Sequence, residues 1–498
     1  MSRRSDHVTP DSQPTAAQPE QKSRRWVALG IIALAQLMIA LDATIVNIAL
    51  PSAQASLRFS AADRQWVVTA YSLAFGGLLL LGGRLADLFG SKRMFLVGLA
   101  GFAGVSAIGA AATGLPMLVA ARAAQGAFAA LLAPTALALL TVTFTGPRER
   151  AKAFAVYGAV AGSGGAVGLV LGGVLTEYAS WRWCLFVNIP VAAVAAGGGW
   201  LFLTGRPAGG WRRIDTGEAI LATGGLVALV YGCAQAVSRG WTSGPVLGLL
   251  VLGVVLLALF ALLESKLDRP LLPLPILLDR NRAGAYLAIF VAIASMFGLF
   301  LFLTYYLQVV LGYSPVRAGL AFLPMTAATF VGSGAIAAQL LPRIAPRALM
   351  VPALLTASGG MALLTRLGTD SGYLTVVLPA EIVIGLAMSC VMVPAFNLAT
   401  NGVDQRAAGV AAAVANIVQQ TGAAVGTAAL NALAISATAG YLATHHSDPA
   451  TRIHGLVHGY SVAATGCTVA LAAAALAIGV LINKPRPDPH PDPDREPA

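Results

Sequence analysis

The sequence predicts an all-α polytopic membrane protein of about fourteen spans, and three observations carry that prediction. Hydrophobic residues make up 57% of the 498-residue chain and charged residues only 11%, whereas a soluble domain carries about 25% charge. The apolar residues gather into stretches of roughly 20, the length needed to cross ~30 Å of hydrocarbon. The basic residues cluster between those stretches, mostly on one side. A soluble protein with a single anchor is excluded.

The spans are expected at 26–49, 65–84, 94–113, 116–140, 152–175, 183–204, 216–236, 246–264, 283–311, 317–341, 349–367, 373–398, 408–436 and 458–482. An even number sets both termini on one side of the membrane. With the termini cytoplasmic, 24 of the 32 Lys and Arg fall on the cytoplasmic face, seven fall outside, and Arg122 lies within a span. This is the asymmetry that orients helical membrane proteins, and it accounts for the net charge of +11 without any nucleic-acid partner. An Ala/Gly/Arg-rich composition with few Lys points to a high-GC bacterium, hence to a multi-pass protein of the inner (plasma) membrane.

The spans divide as six, two and six. Residues 25–205 hold the first six, 206–282 hold two spans flanked by polar loops, and 283–483 hold the last six. The ends, 1–24 and 484–498, are polar and Pro-containing, too poor in apolar residues to fold alone, and are expected to be disordered cytoplasmic tails. The first span is too long for a cleavable signal. Cys184, Cys233, Cys390 and Cys467 lie in or beside spans without a CxxC and read as packing residues.

Span one places Asp42 deep in hydrocarbon, followed by Asn47. An ionised Asp near the bilayer centre costs at least ~2.5–3.5 kcal/mol, so it persists where it is paired, protonated or facing water. The loop after span two reads Gly83-Arg84-Leu85-Ala86-Asp87-Leu88-Phe89-Gly90-Ser91-Lys92-Arg93. Its glycines permit a tight turn, and Asp87 is within reach of Arg84, Lys92 and Arg93, which suits a latch between helix ends. Span four carries Arg122, ~9 Å below the outer surface at 1.5 Å per residue, a depth similar to that of Asp42. Arg122 either pairs with Asp42 or snorkels to the interface.

Span five has Gly164, Gly168 and Gly172 at four-residue spacing, with Gly173 adjoining, so one face is nearly bare backbone. That face is either a static or a sliding seam. Span nine carries Phe297 and Tyr305 in an aromatic stripe that either lines an apolar pocket or packs in the core or against lipid, while Gln308 after it, like Asn47, offers neutral hydrogen bonds to cargo or between helices. Glu381 in span twelve is either a second proton or cation site or a carboxylate that snorkels outward or pairs locally. Asn188, Asn397 and Asn416 offer neutral hydrogen bonds to cargo or between helices. His445, His446, His454 and His458 read as solvated loop residues, with no metal site and no cofactor expected.

These motifs together resemble the major facilitator superfamily, and within it the fourteen-span drug:proton antiporters of the multidrug or antibiotic efflux type. The resemblance rests on Leu41–Pro51, Gly83–Arg93, Arg122-Ala123-Ala124-Gln125-Gly126 and Gly164–Leu175. It is extended by Ser180-Trp181-Arg182-Trp183 with Asn188-Ile189-Pro190, and by Gly312-Tyr313-Ser314-Pro315 with Ala318-Gly319-Leu320. It implies a major facilitator fold, two six-helix bundles rocking around a central cavity with two inserted helices. It also implies export driven by proton entry, with Asp42 and Arg122 in proton coupling and Asp87 and Arg93 in the latch. One departure stands out: Leu169 follows Gly168 where the family usually has Pro, which removes a kink element.

The expected activity is therefore proton-coupled export of small amphipathic or cationic, antibiotic-like molecules by a monomer in the lipid bilayer. A dedicated exporter of one metabolite is the alternative. No Asp-rich metal motif, HExxH or nucleophile with a partnered base is present, so no enzyme is expected.

Overall fold

The computed structural model describes residues 19–205, 216–240, 242–265, 279–400, 405–445 and 448–483, and all regular structure among them is helical. The expected tail 484–498, most of 1–24 and the polar loops around the middle pair lie outside the described residues. The N-terminal helices are α1 Pro19–Leu57, α2 Gln65–Phe89, α3 Ser91–Ala110, α4 Leu115–Thr143, α5 Pro147–Tyr178, a short α6 Trp183–Phe186 and α7 Asn188–Phe202. A middle pair follows, α8 Thr216–Arg239 and α9 Gly244–Glu264. The C-terminal helices are α10 Arg280–Tyr305, α11 Pro315–Ala321, α12 Leu323–Val331, α13 Ala338–Leu340, α14 Pro346–Leu364, α15 Leu378–Thr400, α16 Gln405–Ala443 and α17 Pro449–Leu481. Wide π turns at Tyr306–Val310, Gly332–Ala337 and Tyr373–Val377 interrupt this last set.

Several boundaries differ from the sequence reading: the helix expected to start at 458 starts at Pro449, so His454 and His458 lie on it rather than in a loop. Helix α1 starts at Pro19, inside the tail expected through 24, because the polar turn simply continues the long apolar helix. Among the described residues, 12 helices are long and apolar enough to cross a membrane, and 13 if the bent α2 counts as one span. That bend, 52° between Leu79 and Leu81, falls between Gly76-Gly77 and Gly82-Gly83, where glycine weakens the helix. The span expected at 216–236 coincides with α8, whose described apolar stretch is the shorter Ile220–Gly232.

Proline in the first turn opens α4, α5, α9, α11, α14 and α17, where its missing N–H costs nothing. Side chains cap three starts: Asp279 accepts from Arg282 N at 2.9 Å, Ser314 from Arg317 N at 3.3 Å and Asp448 from Thr451 N at 2.5 Å. Gly90, at φ 88°, makes the sharp turn from α2 to α3 that few other residues adopt.

In the N-terminal set α1 packs on α5 and α7, and α4 on α2 and α3. In the C-terminal set α10 packs on α16, and α14 on α15 and α17. The chain ends share one face: the start of α1 meets the start of α5 through Arg25–Glu149 at 3.8 Å, and Asn483 N donates to Asn281 at 2.8 Å. At this terminal face the N-terminal helices keep a core of their own, from Ala28 on α1 to Leu203 after α7. At the opposite, far face both sets merge into one core that joins Ile45 and Leu50 to Ile289, Tyr306 and Phe322. Helix α8 lies beside α2 and α16, with Thr223 donating to Gly77 O at 2.7 Å. Exposed Val251, Val254, Leu262, Val469, Leu476 and Val480 form an apolar exterior suited to lipid.

Candidate functional site

Asp42 is 0% exposed and Arg122 1% exposed, so Arg122 does not snorkel. Its Nη1 donates to Asp42 Oδ2 at 2.5 Å and to Gln125 Oε1 at 2.9 Å, while Nε donates to the Val67 carbonyl at 3.0 Å. The guanidinium also lies 4.4 Å over the Tyr71 ring, a further stabilisation for a desolvated cation. The other carboxylate oxygen, Asp42 Oδ1, accepts from Asn188 Nδ2 at 2.7 Å and from Gln125 Nε2 at 3.2 Å. Ser106 on α3 ties these amides together, accepting from Gln125 at 2.8 Å. Five elements, α1 to α4 and α7, thus converge on one buried carboxylate. Three N–H donors aimed at two oxygens form an arrangement that suits an anion, and Arg supplies a charge that does not titrate away.

The glycines of α5 explain how α1 reaches this position. A Cβ on Gly164 would lie 2.6 Å from Ala40 Cβ, one on Gly168 2.9 Å from the Leu41 carbonyl oxygen, and one on Gly172 2.8 Å from that of Ile45. The stripe therefore seats α5 against the turn of α1 that carries Asp42. Gly173 faces the other way, toward Pro315 of α11. Helix α5 runs unbroken over 32 residues, in keeping with Leu169 in place of the kink-forming proline.

A polar seam closes the far face between the two helix sets. Arg64 is 3% exposed, donates from Nε to Asn431 Oδ1 at 3.0 Å, and stacks 4.2 Å over the Tyr305 ring. Asn431 in turn donates to Gln65 Oε1 at 3.3 Å. The Tyr305 hydroxyl bonds Gln54, Gln308 Nε2 donates to the Ile48 carbonyl at 3.0 Å, and Glu177 accepts from Val316 N at 2.9 Å. Tyr305 and Gln308 are therefore engaged in this seam: of the alternatives open in the sequence, the conformation described shows packing and bonding between helices, because helical periodicity gives a face but not what the face meets.

The remaining expected residues scatter. Phe297 stacks edge-on against Phe300 inside the C-terminal core, and Asn416 donates to Ala412 on its own helix at 3.0 Å. Asn397 is exposed near the terminal end of α15. Asn47 is 2% exposed and its amide nitrogen has no partner, leaving a donor near the seam. Glu381 is fully buried on α15 beside Tyr373. The latch residues do not close: among the described residues the ion pairs are Arg25–Glu149 and Arg122–Asp42, and Arg84 and Asp87 are both exposed. Lys92 instead donates to the Trp200 carbonyl at 2.8 Å. Close approach of α2 to α4 falls on Gly82, which meets Ala130, with Gly83 only lightly packed on Pro134. His445 stacks on Tyr441 at 4.1 Å.

A bundle of membrane helices that meets in a shared core at one face, with a buried ion pair inside, defines a polytopic helical membrane protein. Residues 32–427 match the Major Facilitator Superfamily, and the chain belongs to that superfamily. It is 55% identical over 442 residues to the puromycin resistance protein of Streptomyces alboniger, covering 88% of each chain. It is 39% identical over 438 residues to the cephamycin export protein of Amycolatopsis lactamdurans, covering 86% of this chain and 89% of that one. Its fold is similar to that of a bacterial homologue of the human lysosomal transporter Spinster in an inward-facing, unoccupied conformation. The TM-score is 0.66 at 16% identity, over 94% of this chain and 98% of the other. The chain is thus a multi-pass bacterial membrane transporter of the drug-efflux type in this superfamily.

Proposed function

We propose that this transporter exports amphipathic, antibiotic-like molecules from the cytoplasm in exchange for protons, by alternating access. Residues 25–205 and 283–483 move as two bundles, with 206–282 as an inserted pair. The termini lie in the cytoplasm, which makes the far face the outer one. The observation that carries the reading is the buried Asp42–Arg122 pair at the centre of a five-element hydrogen-bond cluster. In the conformation described, closed at the far face, the donors around Asp42 suit its ionised form. Protonation would turn an O–H toward those N–H donors and leave Arg122 without its counter-charge. The protonated form therefore belongs to the other conformation, and proton binding biases which of the two is populated. A membrane potential adds ~2.3 kcal/mol per charge per 100 mV to that bias.

A narrower cargo range is the second reading, favoured by relatives whose names each tie them to one compound or class. Uptake by inverted membrane vesicles of puromycin, neutral antibiotics and cationic dyes, with and without a protonophore, separates the two. Protonophore-sensitive uptake of several unrelated compounds supports the broad reading, and uptake of one supports the narrow reading. Uptake that the protonophore leaves unchanged sinks proton coupling.

A further inference from the structure

Glu381 is 0% exposed, its Oε1 has no hydrogen-bond partner, and it forms no ion pair among the described residues. Its Oε2 lies 3.2 Å from the Tyr373 hydroxyl, which itself lies 2.7 Å from the Ala321 carbonyl oxygen. A phenol has one proton to donate. The shorter contact claims that proton for Ala321, so a lone pair of Tyr373 Oη faces Glu381. The longer contact is then a hydrogen bond only if the carboxyl itself carries the donating proton. An ionised carboxylate there would face oxygen without a donor, in surroundings that penalise bare charge.

The cations on the helices packed against α15 sit at the terminal end: Arg280 and Arg282 open α10, Arg347 opens α14 and Arg406 opens α16. At the Glu381 end stand exposed Asp370 and Arg317, and Arg366, also exposed, follows the far end of α14. The Arg317 guanidinium lies 3.8 Å over the Tyr313 ring, which in turn contacts the Tyr373 ring. Tyr373 is half-buried and joins this surface group to the buried carboxyl.

Ala321 is the last residue of α11, the short helix seated on α5. A Cβ on Gly319 would lie 2.5 Å from the Leu169 carbonyl oxygen, and Glu177 of α5 accepts from Val316 N at 2.9 Å. The acceptor that holds the Tyr373 proton therefore belongs to an element that leaves its seat when the far face opens. Once Ala321 moves, the Tyr373 proton is free to turn to Glu381 and serve its ionised form.

We propose that Glu381 is a second proton-binding site, whose loading through Tyr373 from the far face favours closure of α11 on α5. The inference rests on proton-driven export: Glu381 takes up and gives back its proton at the far face, so it sets how closure depends on far-face pH, beside the proton carried at Asp42. The proton passes from water to the phenol oxygen as the phenol proton passes to Glu381 Oε2, so no other reactant is needed.

The test uses the full-length protein in liposomes with puromycin as the probe, measuring how transport depends on the pH at the far face for the parent and for Glu381→Gln. In parallel, infrared spectra follow the protonated-carboxyl band between mildly acid and mildly alkaline buffer. The expected result is a flatter far-face pH dependence in Glu381→Gln, and loss of a band that titrates in the parent. An unchanged pH dependence together with an unchanged band overturns the proposal. If Glu381→Gln does not fold, Tyr373→Phe serves: the band should titrate at a shifted pH, and an unshifted titration overturns the proposal. If the parent moves puromycin without protons, or does not move it, the carboxyl band alone decides Glu381, and proton-driven export is judged separately.

Discussion

Adding a single methyl group to α5 tests whether close packing of that helix positions Asp42. In Gly168→Ala the new Cβ would lie 2.9 Å from the Leu41 carbonyl oxygen, against the 3.4 Å or more of ordinary contact. The nearest atom, Thr44 Oγ1, can rotate away, but a backbone carbonyl cannot. Helix α1 must therefore back away by about half an ångström at the turn that carries Asp42, a strain of the overpacking kind that costs ~1–3 kcal/mol. That shift acts directly on an ion pair held at 2.5 Å. Gly162 on the same helix is the control, because nothing lies within 4 Å of its added Cβ. Gly162→Ala should be neutral, or stabilising by the ~0.5–1 kcal/mol that alanine gains over glycine in a helix. Thermal melting of the purified variants and drug uptake into vesicles provide the readouts. Gly168→Ala should melt lower and transport more slowly than Gly162→Ala, and equal behaviour of the two would refute the packing argument.

Other perturbations follow from the same geometry. Arg122→Lys keeps the charge but loses the fork that reaches Val67 and Gln125 while holding Asp42. Since a point charge does not replace a planar fork, uptake should fall at least ~10-fold, the effect of ~1.4 kcal/mol; a parental rate would contradict this. Arg64→Ala removes the bond to Asn431 and the stack on Tyr305, together worth ~2 kcal/mol. The far face should then open more often, and a cysteine replacing Gln54 should label faster with an impermeant maleimide than in the Arg64 background. Cys184, Cys390 and Cys467 are buried, and Cys233 is replaced by serine in both backgrounds so that the signal reports Gln54→Cys alone.

How much of this was legible in the sequence depends on the residue. Asp42 and Arg122 stood out because charge in an apolar stretch is costly enough to need a reason. Gln125 was findable, three residues after Arg122 and so on the same helix face. Ser106 was not, since a lone serine in a membrane helix carries no signal. Arg64 and Asn431 are 367 residues apart, and Arg64 looks like any loop cation until the fold buries it. Glycine spacing on α5 announced a close seam but could not name α1 as its partner. For Tyr305 and Gln308 the sequence leaves cargo contact and helix packing both open, because it gives the period of a stripe, not its neighbour. Span count was legible to within α8, whose apolar run is short.

The most direct measurement compares the parent with Asp42→Asn in inverted vesicles under an imposed proton gradient, using whichever panel compound the parent accumulates. Asparagine keeps the size of the side chain but cannot carry the charge that pairs with Arg122. The mechanism predicts that Asp42→Asn reaches the membrane and still exchanges cargo down its own gradient, yet no longer concentrates it against one. Accumulation at the parental level in Asp42→Asn would show that the proton is not coupled through this carboxylate.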